Sequence, residues 1–444
     1  MILVAKSGNP LRGEAHLPGD KSISHRAALL ASLAEGTSIF TNFLDAGVTR
    51  AMLNALSDLG ISWQLEGTRL EVTGKGLAGF RPPSQRLNCG HSATTMRLLA
   101  GALAAAGIPA VLDGSAGLRK RPMQRIVEPL RRMGVGISAS PQGTPPLAIS
   151  PRPTALPLRT LDYNLPVASA QVKSCLLLAG LAARGVTRLH EPGPSRDHTE
   201  RMLYEMGVRV SSRVSEGNYP YSVELFPPAG QKLSPLRASI PGDFSSAAFL
   251  ITAALIVPGS ELKLRGVGLN PTRTGLLDAL KAMGASIQVQ RTGHQAGEPL
   301  GDLHVRHSQL RGGTVSGQLV VRMIDEFPAF AVAAACAQGV TRVCEASELR
   351  HKESDRITAL VMELAHLGVE IVETSDGFTV TGRGTVKGGS IYPHGDHRLA
   401  MAMAVAGLAS EEPVVVQNAA FIHESFPEFI STLRSMNAVL EEIG

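Results

Sequence analysis

The chain has 444 residues, of which 44% are hydrophobic, and this is enough apolar sequence for more than one folded core. Its net charge of +5 comes from scattered basic residues, and an aromatic content of 4% leaves few rings for base stacking, which disfavours a nucleic-acid-binding protein. The four cysteines lack metal-site or paired spacing, and no apolar run reaches the roughly 18 residues that span a bilayer. We therefore expect a soluble, untargeted protein of the reducing cytoplasm, with two domains, no metal, no disulfide and no membrane segment.

An Ala/Leu-rich segment that follows a small or charged turn occurs six times along the chain. Each segment is apolar nearly all round, which is typical of a helix buried inside a domain, and each opens on a residue type that caps helices. The six segments begin at Pro18, Asn88, Val167, Pro241, Ile324 and His394.

A second, amphipathic helix is predicted after each buried one, because a turn that ends helices follows at a similar distance. These turns are Leu59-Gly60, Met133-Gly134, Met206-Gly207, Met283-Gly284, Leu367-Gly368 and Met436-Asn437. Alternating segments with β-branched residues come after several of them, as in 285–290 and 369–374, and predict strands. The pattern indicates an α/β repeat of about 70 to 85 residues that begins with the buried helix.

The first and fourth repeats share the tripeptide Pro-Gly-Asp, at 18–20 and 241–243. We interpret these tripeptides as the points where the chain crosses between two domains of three repeats each, related by approximate two-fold symmetry. The expected domains are 1–19 with 241–444, and 20–240. Ala/Leu-rich helices also recur by chance in α/β proteins, but the matching order of helix, helix stop and strand favours a true repeat.

The strongest local motif is the segment from Asp20 to Arg26 at a predicted helix start. Free backbone N–H groups at a helix N-terminus attract anions, and Lys21, Ser22 and Arg26 add donors for phosphate or carboxylate. The same residues would also be expected in an ordinary capped helix whose basic side chains are solvated. Small or polar residues at two other helix starts, 90–97 and 169–171, favour the anion site if the starts converge.

Three further segments rich in Arg and Lys are 119–122, 195–198 and 350–356. In the last, Lys352 and Arg356 are four residues apart and would share one face of a helix. A surface helix with ion pairs explains this spacing, but a carboxylate such as Glu353 held among cations could also exchange a proton with an anionic substrate.

Acidic residues lead two of the predicted buried helices. Asp325 and Glu326 precede one of them, and Asp396 precedes the other together with Arg398. These acids could cap the helices, or they could belong to an anion site.

Walker, GxGxxG, GxSxG and HExxH motifs do not occur in the contexts that their chemistry needs, so nucleotide hydrolysis, dinucleotide redox, serine acyl transfer and zinc hydrolysis are disfavoured.

Nine short segments occur in the order expected of one known family, and through them the whole chain resembles the 5-enolpyruvylshikimate-3-phosphate (EPSP) synthase family. They are LPGDKSISHR, GLRKRPM, SAQVKS, SRDHTERM, NPTRTG, MIDEFP, KESDR, GDHR and SFPEF. The resemblance is closest to the subgroup that includes glyphosate-tolerant bacterial enzymes. It implies the enolpyruvyl transferase fold, a two-domain inside-out α/β barrel of six βαβαββ repeats, three per domain, with the active site in the cleft between the domains.

The same resemblance implies the reaction. The enolpyruvyl group of phosphoenolpyruvate is transferred to the 5-hydroxyl of shikimate 3-phosphate, and phosphate is released, without a cofactor or a metal. We expect a monomer that works in the shikimate pathway to chorismate and the aromatic amino acids, with glyphosate as an inhibitor. Asp325 matches the base on the hydroxyl, and Lys21 and Glu353 match groups that move protons at the methylene carbon.

The substrate contacts implied by the resemblance form two overlapping sets. For shikimate 3-phosphate they are Lys21, Ser22, Arg26, Ser169, Ala170, Gln171, Arg196, Asp325 and Lys352. For phosphoenolpyruvate they are Lys21, Ala93, Arg121, Gln171, Glu353, Arg356 and Arg398. Clustered cations make the combined negative charge of the two substrates tolerable in one site.

Four residues depart from the commonest family pattern. Ala93 stands where many members have Gly, and we expect its methyl group to crowd glyphosate, which is longer than phosphoenolpyruvate. His91 stands in place of Asn, Glu348 in place of Asn, and Glu424 in place of a Lys. A glutamate cannot hold phosphate as Lys does, so Glu424 is left out of the predicted site.

Two alternatives are disfavoured by particular residues. The sister enzyme that transfers enolpyruvyl to UDP-N-acetylglucosamine usually has a reactive Cys before an Arg, but the segment 114–119 contains no Cys. A non-catalytic anion-binding relative would be expected to have lost Asp325, Glu353 or Lys21, and all three are present.

Overall fold

The computed structural model describes residues 1–153, 155–228, 230 and 232–444. The chain forms two compact units. Unit 1 consists of Met1–Pro18, Pro241–Gly293 and Pro299–Gly444, and unit 2 consists of Gly19–Ile240 and His294–Glu298. Both Pro-Gly-Asp tripeptides therefore lie where the chain leaves one unit for the other.

The described residues form 24 strands and 13 α-helices. The strands are β1 (Ile2–Lys6), β2 (Arg12–His16), β3 (Glu35–Thr41), β4 (Ser62–Glu66), β5 (Arg69–Lys75), β6 (Leu87–Asn88), β7 (Ala110–Asp113), β8 (Ile137–Ser138), β9 (Leu147–Ile149), β10 (Asp162–Asn164), β11 (Thr187–Glu191), β12 (Val210–Val214), β13 (Tyr221–Leu225), β14 (Arg237–Ser239), β15 (Glu261–Gly268), β16 (Ser286–Gln295), β17 (Glu298–Arg306), β18 (Thr314–Val315), β19 (Gln338–Val343), β20 (Glu370–Thr374), β21 (Gly377–Arg383), β22 (Gly389–Ile391), β23 (Val414–Val416) and β24 (Val439–Ile443). The helices are α1 (Lys21–Leu33), α2 (Gly47–Asp58), α3 (Ala93–Ala106), α4 (Gln124–Arg132), α5 (Ala170–Gly180), α6 (His198–Glu205), α7 (Phe244–Ile256), α8 (Gly275–Ala282), α9 (Gln318–Arg322), α10 (Phe327–Ala335), α11 (Arg356–His366), α12 (His397–Gly407) and α13 (Phe429–Ser435).

The strands form six four-stranded sheets with one common order. In each sheet, in the spatial order written below, the first two strands are parallel, and the second and third strands are antiparallel. Unit 1 contains β2-β15-β17-β16, β18-β19-β21-β20 and β22-β23-β1-β24, and unit 2 contains β6-β7-β9-β8, β10-β11-β13-β12 and β14-β3-β5-β4. The predicted α/β fold of six βαβαββ repeats, three in each domain, is confirmed.

Three sheets are completed by strands from distant parts of the sequence. Strand β14 pairs with β3 in unit 2, and in unit 1 β1 pairs with β23 and β24, and β2 pairs with β15. The sequence pattern predicted a repeat that begins with the buried helix. In the structure, the repeat begins with a strand. Strands such as β6 and β18 have only two residues, too few for a recognisable alternation.

The buried helices follow from their composition. All 13 residues of α7 are buried, and α1, α3, α5, α10 and α12 are buried along most of their length. The predicted helix stops have left-handed backbone, with φ between +73° and +94° at Gly60, Gly134, Gly207, Gly284, Gly368 and Asn437. Each unit has its own hydrophobic core around its buried helices. Among the described helices none is both long and apolar enough to cross a membrane.

Candidate active site

In unit 1, the starts of α10, α11 and α12 carry a group of charged residues that we call the carboxylate–arginine cluster. Its members are Asp325, Lys352, Glu353, Arg356, Asp396 and Arg398. Arg356 is the first residue of α11 and is fully buried. Burial of this side chain would lower its pKa, but Asp396, Glu353 and Asp325 outweigh that effect and raise it, so Arg356 stays charged.

Arg356 reaches three carboxylates. Its Nε donates to Oδ2 of Asp396 at 2.7 Å, and its Nη2 donates to Oε2 of Glu353 at 2.6 Å. A longer bond of 3.4 Å joins Nη1 to Oδ1 of Asp325. The guanidinium thus fixes the positions of acids from three separate segments.

Asp325 also lies near two other cations. Its Oδ1 is 3.3 Å from Nζ of Lys352, and its Oδ2 is 4.0 Å from Nη2 of Arg398. The side chain keeps 18% of its surface accessible, and that of Glu353 keeps 35%, so both can meet a ligand. Glu326, not Asp325, occupies the N-cap position of α10.

Asp396 makes two kinds of contact in the structure. It caps α12 by accepting the Arg398 backbone N–H at 2.9 Å, and it also pairs with Arg356. The expectation that Lys352 and Arg356 share a helix face is wrong. Asp355 caps α11 by accepting the Thr358 N–H at 3.2 Å, so Lys352 lies before the helix, and it shares Asp325 with Arg356 as an ion-pair partner.

In unit 2, the predicted binding residue Arg26 donates its hydrogen bonds to neutral groups, while Glu200 and Asp20 act electrostatically on its charge. Its Nε donates to Thr199 Oγ1 at 2.7 Å, its Nη2 to Ser174 Oγ at 2.8 Å, and its Nη1 to the Ser22 carbonyl at 2.9 Å. We call Arg26, Ser174 and Thr199 the hydroxyl–arginine cluster. Only 3% of Arg26 is exposed, and burial lowers the pKa of its guanidinium to about 10, still well above neutral pH.

Gln171 lies in the first turn of α5, next to Ala170 and the N-cap residue Ser169, and all three are half-buried. Its Oε1 accepts from Arg97 Nη1 at 2.6 Å, and its Nε2 donates to Thr94 Oγ1 at 2.9 Å. These bonds connect α5 to α3 and set the orientation of the amide. The structure therefore brings together the starts of two of the predicted converging helices.

The start of α1 is connected to that of α3 by His25. Its Nδ1 is 2.7 Å from the Lys21 carbonyl, and its Nε2 is 3.2 Å from Oγ of Ser92, the N-cap of α3. Burial lowers the pKa of His25 to about 4, so the ring is neutral at pH 7. Lys21 itself is half-buried, and Ala93, the first residue of α3, is 7% exposed.

The remaining basic segments of unit 2 lie on short connections. Arg119 forms a two-bond pair with Asp113, at 2.8 and 2.7 Å, and Arg121 follows it as a half-buried residue. His91 is exposed, and its Nδ1 is 3.0 Å from Oγ of Ser115, at the start of the same connection. His91 therefore contacts the segment that leads to Arg121.

Arg196 is half-buried and follows a residue that is held on both sides. Lys173 of α5 donates to the Ser195 carbonyl at 3.2 Å and to Oε1 of Glu191 at 2.7 Å, and Glu191 also accepts from the Ser195 hydroxyl. Lys173 pairs with Glu200 as well, at 2.8 Å. This buried network orients the backbone that presents Arg196.

Sequence reasoning missed three residues that organise the candidate site: His25, Arg97 and Lys173. All three lie inside segments that the sequence analysis names, but His25 bonds to Ser92, 67 residues away, and Arg97 bonds to Gln171, 74 residues away. The signal that could have found Arg97 and Lys173 is a single cation inside an otherwise apolar helix, because a buried charge needs a partner.

The two residues that depart from the family pattern in unit 1 lie in short 3-10 helices. Glu348 is half-buried within Ser347–His351, and Glu424 is half-buried at the end of Ala419–Glu424.

Among the described residues no group of three or more His, Cys, Asp or Glu side chains has the geometry of a metal site.

The candidate site residues of the two units differ in their chemistry. Unit 1 presents accessible carboxylates that lie against fixed cations, an arrangement suited to moving protons beside an anion. Unit 2 presents helix starts, hydroxyls, an amide and basic residues, which are suited to binding phosphate and carboxylate groups.

Comparisons with known proteins agree with this chemistry. The family model for EPSP synthase (3-phosphoshikimate 1-carboxyvinyltransferase) matches residues 5–433. The 3-phosphoshikimate 1-carboxyvinyltransferase of Halorhodospira halophila is 47% identical over 440 residues, which cover 98% of this chain and 96% of that protein. The enzyme of the same name from Xylella fastidiosa is 48% identical over 439 residues, with 99% and 94% covered.

Solved structures give the same answer. The structure of EPSP synthase from Acinetobacter baumannii at 2.37 Å superimposes with a TM-score of 0.86 and 40% sequence identity, and 99% of each chain is covered. A second structure of EPSP synthase from that organism has a TM-score of 0.86, 38% identity and full coverage of both chains. This chain therefore belongs to the EPSP synthase (3-phosphoshikimate 1-carboxyvinyltransferase) family.

Proposed function

We propose that this protein transfers the enolpyruvyl group of phosphoenolpyruvate to the 5-hydroxyl of shikimate 3-phosphate. The observation that carries the proposal is the carboxylate–arginine cluster, in which accessible Asp325 and Glu353 both touch the buried Arg356. This geometry supplies proton-transfer groups beside a fixed positive charge, as the reaction needs. The names of the relatives at 46 to 48% identity support the same reaction.

The reaction can be written with each proton accounted for. Asp325 accepts the proton of the 5-hydroxyl as the hydroxyl oxygen bonds to C2 of phosphoenolpyruvate. Lys21 or Glu353 delivers a proton to the methylene carbon in the same step. The tetrahedral intermediate then returns a proton from the new methyl group to Lys21 or Glu353, the bond from C2 to the phosphate oxygen breaks, and inorganic phosphate leaves. The protein forms no covalent bond to either substrate, so positioning and electrostatic stabilisation lower the barrier.

The binding groups divide between the two units by chemistry. We propose that shikimate 3-phosphate contacts Lys21, Ser22, Arg26, Ser169, Ala170, Gln171, Arg196, Asp325 and Lys352, and that phosphoenolpyruvate contacts Lys21, Ala93, Arg121, Gln171, Glu353, Arg356 and Arg398. Under this proposal the active site is a cleft between the two domains, and a monomer in the cytoplasm is sufficient for the shikimate-pathway reaction. The support is that unit 2 contributes anion-binding groups whereas unit 1 contributes carboxylates.

Phosphate release tests the proposed reaction directly. Purified protein mixed with shikimate 3-phosphate and phosphoenolpyruvate is expected to release phosphate in proportion to the enolpyruvyl product. Each substrate alone is the control. Release no faster than in the single-substrate controls would overturn the proposal.

We further propose that Ala93 reduces sensitivity to glyphosate and aligns the chain with the tolerant bacterial subgroup. Ala93 is the first residue of α3, and its neighbour Ser92 holds that helix start by accepting the Thr95 N–H at 3.0 Å. A methyl group on so constrained a backbone cannot move aside easily for a longer inhibitor. The support for the subgroup is the resemblance of the motifs.

The variant Ala93→Gly tests this second proposal, because it removes only the methyl group. The glyphosate concentration for half inhibition is expected to fall about tenfold or more, while the KM for phosphoenolpyruvate changes little. Thr94→Ser, which removes a methyl group at the next position and keeps the hydroxyl that binds Gln171, is the matched control. Equal inhibition of wild type and Ala93→Gly would refute the role of Ala93.

A further inference from the structure

A second contact between α11 and the segment that leads into α12 lies two helical turns beyond Arg356. Glu363 is seven residues after Arg356 and therefore projects from the same face of α11, about 10 Å further along the axis. Its carboxylate is 2% exposed. Both residues reach from α11 to the same segment, Tyr392–Arg398, so that segment is held at two points.

The contacts of Glu363 are directed at the loop. Its Oε1 is 2.7 Å from Nε2 of His394, and its Oε2 accepts the backbone N–H of Tyr392 at 3.0 Å. Arg356 holds the far end of the segment through Asp396. A buried carboxylate that accepts two hydrogen bonds from one short loop strongly restricts the conformation of that loop.

The backbone of the loop needs such a restraint. His394 has φ of +52°, in the left-handed region that only a few per cent of non-glycine residues adopt, and Gly395 follows with φ of +73°. A strained residue persists only where its surroundings hold it, and such residues concentrate at functional sites. The next residues are Asp396 and Arg398, which begin α12.

From these contacts we infer that Glu363 and His394 are positioning residues for Arg398 and Asp396, and thereby for phosphoenolpyruvate. The inference rests on the proposed function, in which Arg398 and Arg356 hold that substrate. Neither Glu363 nor His394 touches the reacting atoms. Their hydrogen bond sets where the left-handed turn ends and hence where the Arg398 side chain begins.

The variant His394→Asn removes the bond and keeps the backbone, because Asn tolerates left-handed φ but is too short to reach Glu363. The KM for phosphoenolpyruvate is expected to rise about tenfold, with the KM for shikimate 3-phosphate within about twofold of wild type. His394→Gln, whose longer amide can still donate to Glu363, is expected to retain most of the wild-type KM.

His366 offers a matched control. Its Nδ1 is 3.5 Å from Oε2 of the same Glu363, but it is on α11 itself, three residues further along, so this pair lies within the helix. His366→Asn therefore removes the same kind of side chain from the same carboxylate without releasing the segment that carries Arg398. Its kinetic constants are expected to match those of wild type.

Chemical rescue separates positioning from a general loss of stability. His394 lines a cavity of about 420 Å³ together with His366, Tyr392 and Phe421, and its side chain is 34% exposed. In His394→Gly the vacated space opens into this cavity, so added imidazole can bind Glu363 in place of the lost ring. Imidazole at millimolar concentration is expected to lower the raised KM for phosphoenolpyruvate in this variant and to leave wild type unchanged.

The outcomes distinguish this inference from the proposed function. A wild-type protein that releases no phosphate overturns the proposed function. An active wild type whose His394→Asn variant keeps its KM for phosphoenolpyruvate, or raises the KM for both substrates equally, overturns the positioning role alone. Should His394→Asn prove unfolded in a thermal melt, the imidazole titration of His394→Gly decides the matter, and no response to imidazole counts against the inference.

Discussion

The two units hold their predicted binding arginines in opposite ways. In unit 1, Arg356 makes hydrogen bonds to three carboxylates. In unit 2, Arg26 makes its hydrogen bonds to two hydroxyls and a backbone carbonyl. Both side chains are buried, yet the pKa of Arg356 is raised by its acids while the pKa of Arg26 is lowered by burial.

This difference indicates what each unit can do. Carboxylates around Arg356 neutralise it, so the unit 1 cluster can exchange protons without carrying a large excess of positive charge. Arg26 has neutral hydrogen-bond partners, and its charge is balanced less directly, by the nearby carboxylates of Glu200 and Asp20, which leaves it available to an anion. We therefore expect substitutions in unit 1 to affect the chemical step and the fold most, and those in unit 2 to act through binding and the local hydrogen bonds.

The largest effect is expected from Asp325→Asn. The amide keeps the size of the side chain but cannot accept the hydroxyl proton, so kcat should fall about 10²- to 10⁴-fold. Initial rates of phosphate release with both substrates saturating measure this loss.

Asp355→Asn is the matched control for that experiment. Asp355 is a neighbouring acid that caps α11 and pairs with Arg350 at 2.8 Å, and Asn is an equally good cap. Its kcat is expected to stay close to that of wild type. Equal rates for Asp325→Asn and Asp355→Asn would show that the unit 1 cluster does not carry the proton transfer.

The second effect concerns stability. Arg356→Met leaves Asp396 buried without its main cationic partner, which is expected to lower the free energy of unfolding by about 3–5 kcal/mol. Adding Asp396→Asn removes the stranded charge and keeps the cap of α12, so the double variant should regain about 2 kcal/mol. Urea unfolding of the three proteins measures both values. A double variant less stable than Arg356→Met would contradict the account of this ion pair.

Local sequence patterns predicted the helices and their ends, because these depend on nearby residues. Apolar composition and an Asp cap specify α1 and α7 within their own segments, and a left-handed glycine ends amphipathic helices such as α2. The sheets were harder to predict. Strand β14 pairs in parallel with β3, with Arg237 beside Ile39, and no local pattern encodes a pairing between segments so far apart in the chain.

The candidate site shows the same limit. The spacing of Lys352 and Arg356 suggested a shared helix, but the cap at Asp355 decides where α11 begins. The bond between Arg97 and Gln171 connects residues 74 positions apart, and only the packing of α3 against α5 brings them together. Motif resemblance supplied the residue list, whereas the pairing of those residues required the fold.

The third prediction is a pH effect in unit 2. His25 is neutral in the folded protein because burial lowers its pKa from 6.5 to about 4, so the unfolded chain binds the extra proton between these values. Stability should therefore fall as the pH drops from about 6.5 to 4, by about 3 kcal/mol from this residue. His25→Gln lacks the titrating group and should show a flatter profile in urea unfolding at stepped pH. Parallel profiles for the two proteins would rule out His25 as the cause.

The smallest effect is expected from Thr199→Val, which tests the hydroxyl–arginine cluster without changing any charge. Valine has the shape of threonine but cannot accept the bond from Nε of Arg26, so the free energy of unfolding should fall by about 2 kcal/mol. Thr37→Val is the control, because Thr37 bonds to Thr73 on an exposed strand at 3.3 Å and its loss should cost little. Equal unfolding free energies for the two variants would mean that water replaces the Thr199 hydroxyl, and that Arg26 is less buried than the contrast with Arg356 requires.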